Sequence, residues 1–93
     1  MEIAGISTIE KFKKTHPAAR NPLEEWISKV TPVLWRTPTD IKRMFSTTSF
    51  VKQFVIFNIG DNKYKLLTEV RYGTGRILVL RIGTHEEYDS WKL

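Results

Sequence analysis

Two short gaps in the second half of the chain constrain its fold more than any other feature. Residues 50–59, 63–72 and 76–82 are rich in Val, Ile, Leu, Phe and Tyr, the side chains that suit extended backbone. Gly60-Asp61-Asn62 and Gly73-Thr74-Gly75 separate these runs, and each gap is only three residues long. Parallel neighbours need a crossover of roughly a dozen residues or more, so three strands joined this way run antiparallel, as a meander.

The first half carries a different punctuation. Residues 1–6 suit a short opening strand. Ser7-Thr8-Ile9-Glu10 reads as a capping box, predicting a helix from Thr8 that buries Ile9 and Phe12 and stops before Pro17. Asn21-Pro22-Leu23-Glu24 predicts a second helix capped by Asn21, with Leu23, Trp26, Ile27 and Val30 on one face and Pro32 ending it. Thr37-Pro38-Thr39-Asp40 opens a third, short helix whose Ile41 and Phe45 point inward. Ser46-Thr47-Thr48-Ser49 is a polar connector, and beyond the strands Thr84-His85-Glu86-Glu87 is another capping box, opening a last helix through Tyr88 and Trp91. The predicted order is β-α-α-(short α)-β-β-β-α. That is an α+β domain of antiparallel-rich sheet, with the N-terminal helices packed on the sheet and residues 1–93 forming a single domain.

Composition narrows the chemistry. The chain has no cysteine, which removes disulfides, zinc ribbons, iron–sulfur sites and thiol nucleophiles. His16 and His85 are the only histidines, so a dedicated transition-metal site is not expected. No phosphate-binding loop, dinucleotide fingerprint or nucleophile elbow occurs. No apolar run spans a bilayer and the N-terminus lacks a signal peptide's features, so a cytoplasmic location is expected. The net charge of +5 is unevenly placed. Residues 51–84 hold six basic and two acidic side chains, whereas residues 85–93 hold one basic and three acidic. Such a stretch suits an anionic partner, and equally a solvated strand face protected by lysines.

Alternation places Tyr64, Leu66, Thr68, Val70 and Tyr72 on one face of the middle strand and Lys63, Lys65, Leu67, Glu69 and Arg71 on the other. The same rule gives Ile77, Val79 and Arg81 a common face, and puts Asn58 with Ile56 and Phe54. The meander brings Lys65 and Arg81 together on one concave face. His85 stands at the first position of the last helix, where free N–H groups attract phosphate, and Tyr88 follows at i+3. A solvent-facing His with Tyr packed beneath fits the same spacing. Trp26 and Trp35 are read as core, on helices opposite the basic strands.

Thr37-Pro38 with Ile41-Lys42, Phe57-Asn58-Ile59, Asn62-Lys63-Tyr64-Lys65-Leu66 and the ending Arg81-Ile82-Gly83-Thr84-His85-Glu86-Glu87-Tyr88-Asp89 together resemble the HigB family of bacterial toxins, within the RelE-like group. The resemblance runs along essentially the whole chain. It implies an mRNA interferase: an endoribonuclease that cuts mRNA, typically on the translating ribosome, and is silenced by a HigA-type helix-turn-helix antitoxin. It implies no cofactor, no metal and no membrane partner. Carried over by position, Lys65, His85 and Tyr88 match the catalytic set. Asn58, Lys63, Arg71 and Arg81 are then phosphate- or RNA-binding candidates, and Asp89 is an orienting residue. At position 65 an arginine is commoner in the family, so lysine offers a point charge in place of a bidentate fork. The alternative is a non-catalytic basic module that binds RNA or the ribosome and is neutralised by an acidic protein.

Overall fold

Hydrogen bonding organises the computed structural model, which describes residues 1–93, into five strands and four α-helices. They follow in the order β1 (Glu2–Ala4), α1 (Ile6–Thr15), α2 (Arg20–Val30), α3 (Pro38–Met44), β2 (Ser49–Val51), β3 (Phe54–Ile59), β4 (Tyr64–Arg71), β5 (Arg76–Thr84) and α4 (His85–Asp89). A 3₁₀ turn, Pro17–Ala19, leads into α2. The sheet order is β1-β5-β4-β3-β2. β2 to β5 form the antiparallel meander that the short turns require, and β1 adds a parallel edge beside β5. The class is α+β, as the sequence indicates. No helix is long and apolar enough to cross a membrane.

Several boundaries differ from the sequence reading, each for a local reason. α1 starts at Ile6, two residues before the expected Thr8, and Ser7 caps nothing. Gly5 takes the capping position in the left-handed region at φ 87°, and a Cβ there would lie 2.6 Å from the Val79 carbonyl oxygen. A glycine is therefore needed where β1 turns against β5. Nor does Asn21 cap α2, because the 3₁₀ turn runs straight into the helix at Arg20. Pro22 is accepted in the first turn because N–H groups there have no intrahelical partner to lose. α2 does end before Pro32, and Thr37 and Thr84 each close a full capping box, with Asp40 and Glu87 respectively.

The expected strand 50–59 is two strands. A two-residue turn, Lys52-Gln53, folds β2 back on β3, with Lys52 at φ 55°. Neither residue belongs to the usual Gly, Asn and Asp turn vocabulary, so the hairpin left no mark in the pattern.

One face of the sheet carries the core. Ile9 and Phe12 of α1, Leu23, Trp26 and Val30 of α2, and Ile41 of α3 pack on Val55, Phe57, Ile59, Leu66, Val70, Ile77 and Val79. Phe57 sits at the centre of an aromatic group, with ring centroids 5.3 Å from Trp26, 5.9 Å from Trp35 and 5.4 Å from Phe45. Both tryptophans are buried, as expected. With three helices covering this face, residues on the opposite face of β3, β4 and β5 are left for α4 and solvent.

A β-bulge decides which residues those are. Leu67 pairs with Arg81 while the adjacent Thr68 pairs with Val79, so Leu80 is an extra residue on β5. It reverses the alternation. Ile77 and Val79 face the core, but Arg81 is turned to the other side, where it stands across from Leu67. The simple alternation that grouped Ile77, Val79 and Arg81 is thus corrected by one inserted residue.

Candidate functional site

Lys65 lies on the side of the sheet opposite α1, α2 and α3, the side that the short α4 partly covers. It is only 8% exposed although it points away from the core. Asn58 faces it directly across the β3–β4 pair, and its Oδ1 accepts a hydrogen bond from Lys65 Nζ at 2.5 Å. Asn62 Oδ1 accepts a second at 2.6 Å. Both amides are held in place. Asn58 Nδ2 donates to the Thr47 carbonyl at 3.0 Å. Asn62 sits at φ 70° in the turn that the Lys63 N–H closes onto the Gly60 carbonyl at 3.2 Å, with Asp61 at φ 54° beside it. Two central residues of positive φ suit a tight hairpin, and Asn and Asp tolerate that conformation best after glycine.

An ammonium has three N–H donors. Two are taken by the amides, which leaves one for a ligand. Burial pushes the Lys65 ammonium below the ordinary lysine value, and the Asp89 carboxylate works against that shift. The Tyr88 ring lies near the same nitrogen, its centroid 5.2 Å from Nζ.

α4 brings Tyr88 there. The His85 N–H donates to the Lys63 carbonyl at 2.9 Å, tying the helix start to the start of β4. Glu87 Oε1 accepts from the Thr84 N–H at 2.8 Å, and this bond holds the Glu87 carboxyl below its usual range. Trp91, just past the helix, meets Tyr88 edge to face at 5.4 Å and lies 5.3 Å from the Arg81 guanidinium. Gly83, across from Lys65 on β5, makes this possible. A Cβ at that position would come within 2.9 Å of Trp91 Cζ2 and 3.2 Å of Glu87 Cβ.

The structure therefore gathers most of the candidates. Asn58, Lys65, Tyr88 and Asp89 form one group. Arg81 stands on the same face, diagonal to Lys65 at roughly 7–8 Å between backbone positions. His85 is exposed at the first turn of α4, and its imidazole makes no hydrogen bond within the chain. Lys63 is exposed beside the turn. Arg71 is set apart, six residues further along β4 and so roughly 20 Å from Lys65. There it pairs with Glu69 at 2.9 Å. Asn62 and Gly83 entered the sequence reading only within the family motifs and Trp91 only as a helix residue; none of the three was a site candidate. Asn62 carried a signal in its place two residues after Gly60, whereas Trp91 and Gly83 matter only because α4 folds back on β5. Nowhere do three His, Asp or Glu side chains converge as a metal-binding group.

A buried cation with one free donor, an exposed arginine and an aromatic cover are together chemically suited to an anion. The sequence model of the HigB toxin, the RelE-like toxic component of a toxin-antitoxin system, matches residues 19–91. The chain belongs to the HigB toxin family. The match runs from the end of the 3₁₀ turn to Trp91, so it includes every residue of the Lys65 group, whereas β1 and α1 fall outside it. No curated protein matches the chain significantly. As a HigB-family member the protein is the toxin of a toxin–antitoxin pair, and an antitoxin is its partner.

Proposed function

We propose that this HigB-family toxin is an endoribonuclease that cuts mRNA on the translating ribosome, with the Lys65 face as its active site and a HigA-type antitoxin as its silencer. The observation that carries the proposal is the Lys65 ammonium. It is held by Asn58 and Asn62, lies under Tyr88, and keeps one N–H free on the sheet face opposite the core.

RNA carries its own nucleophile. The 2′-oxygen attacks the adjacent phosphorus, the P–O5′ bond breaks, and the products are a 2′,3′-cyclic phosphate and a free 5′-hydroxyl. One proton leaves the 2′-hydroxyl and one reaches the departing O5′. Lys65 and Arg81 oppose the charge that grows on the non-bridging oxygens in the transition state, the moment when a preorganised cation is most effective. His85, exposed and free of internal partners, takes or delivers a proton. Tyr88 hydrogen-bonds the phosphate or stacks on a base, Asn58 positions Lys65, and Asp89 sustains its charge. Lys63 extends the phosphate contacts at the mouth of the turn.

The test is cleavage of mRNA in cells and on purified ribosomes, with 5′ ends mapped by primer extension. Wild type produces new cleavage sites and arrests growth. Lys65→Ala lowers the cleavage rate by about 100-fold, the scale of losing one transition-state donor, and His85→Ala by a comparable factor. Growth arrest without new RNA ends would establish the alternative, a module that blocks translation by binding alone. Cleavage undiminished in both variants would displace the site and leave the activity standing.

A further inference from the structure

β3 runs past its partner. β2 pairs it only as far as Ile56, so the outer edge of Phe57, Asn58 and Ile59 is left without a strand. α2 and the Gly60–Asp61 turn close around this edge and leave a groove of about 400 Å³. Its polar lining comes from Asn21, Glu25, Lys29, Asn58 and Asp61, and Trp26 forms part of the wall. The Trp26 indole Nε1–H is the one buried side-chain nitrogen or oxygen in the protein with no hydrogen-bond partner. Asn58 belongs to both places. It lines the groove, and its Oδ1 is 2.5 Å from Lys65 Nζ, so the groove begins one side chain away from the anion site.

The lining says what could enter. Glu25 and Asp61 outnumber Lys29, which is already engaged by Glu25 at 2.8 Å. That balance repels a phosphate and favours a neutral, planar group. Ionised carboxylates only accept hydrogen bonds, so they select a ligand with N–H donors on its edge. A pocket of this size accommodates a nucleoside-sized group.

We propose that the groove is a base subsite for the RNA. It takes a base bearing an exocyclic amino group, placed beside the phosphate that Lys65 and Arg81 hold. This rests on the ribonuclease reading, and the two are tested separately.

Cytidine and uridine monophosphates isolate the amino group, since uracil has a carbonyl oxygen where cytosine has its N4 amino group. Two-dimensional ¹H–¹⁵N spectra of the full chain, titrated with CMP, UMP and inorganic phosphate, read the groove through the Trp26 indole and the Gly60 amide. CMP moves both signals with an apparent Kd at least about fivefold below that of UMP, the low end of what one base-edge contact gives. Phosphate moves signals around Lys65 and Arg81 and leaves the Trp26 indole in place. In the Glu25→Gln/Asp61→Asn double variant the preference for CMP disappears, while the spectrum keeps its folded dispersion. Equal affinity for CMP and UMP, a Trp26 response to phosphate alone, or no response at Trp26 and Gly60 would each overturn the subsite. RNA cleavage measured on the same preparation keeps the two proposals distinct. Cleavage without a groove response removes the subsite alone, and a selective groove response without cleavage supports the subsite while removing the ribonuclease reading.

Discussion

Lys65 carries its charge under opposing influences. Burial lowers its pKa from the ordinary 10.5, and the Asp89 carboxylate raises it, with burial the larger effect. In the proposed mechanism the acting form is the ammonium, so activity that depends on it is present below the folded-state pKa and is lost as pH rises through that value. Removing Asp89 takes away the raising influence and leaves burial unopposed. Asp89→Asn therefore moves the alkaline limb of the kcat/KM profile for RNA cleavage toward lower pH, with little change at neutral pH. A profile identical to wild type would show that Asp89 does not act on Lys65. Positions 58, 65, 81, 85, 88 and 89 were legible as candidates from residue type and motif. The amide clamp was less so, because only the geometry of the β3–β4 turn shows that Asn62 reaches the same nitrogen as Asn58.

At the level of elements, α4 and the end of β5 build the upper wall of the site. α4 is five residues long, too short to be stable alone, and its position depends on the Thr84–Glu87 box and on Trp91 lying against Gly83. Gly83→Ala places a methyl where Trp91 and Glu87 already are. The neighbours must shift, and overpacking of this kind costs about 1–3 kcal/mol. Urea unfolding gives the loss, and quenching of tryptophan fluorescence reports a more exposed Trp91. The Gly83→Ala/Trp91→Ala pair is less destabilised than the sum of its single changes, since the clash is removed with the indole. Strand alternation could not foresee this wall. The bulge at Leu80 lies in an apolar run with no Gly to mark it, yet it turns Arg81 and Gly83 to the side of Lys65.

On the scale of the molecule, the sheet separates two tasks. α1, α2 and α3 bury one face around Phe57, and the opposite face is left to Lys65, Arg81 and the short cover of α4. The excess positive charge of residues 51–84 does not all serve one site, because Arg71 and Arg76 lie at the far end, paired with Glu69 and Glu2. Binding of single-stranded RNA to the His85→Ala protein discriminates between the two ends. The slope of log affinity against log salt falls in magnitude by about 0.7 for each phosphate contact removed. Arg81→Ala lowers it by about that amount, and Arg71→Ala lowers it by less. Equal effects would mean that the RNA runs the length of the strands.

The sequence alone determined the elements that depend on neighbours in the chain: the helix-start boxes at Thr37 and Thr84, the stop before Pro32, and the meander forced by two short turns. It also marked the family through Asn62-Lys63-Tyr64-Lys65 and Gly83-Thr84-His85 with Tyr88-Asp89. Only the tertiary structure decided where β1 pairs, that residues 50–59 fold into a hairpin, and that the expected approach of Arg81 to Lys65 depends on one extra residue on β5. These outcomes come from hydrogen-bond registry and close packing between segments far apart in the chain, such as Gly5 against Val79 and Trp91 against Gly83. Local patterns record side-chain preference; they hold no record of which distant backbone will press against it.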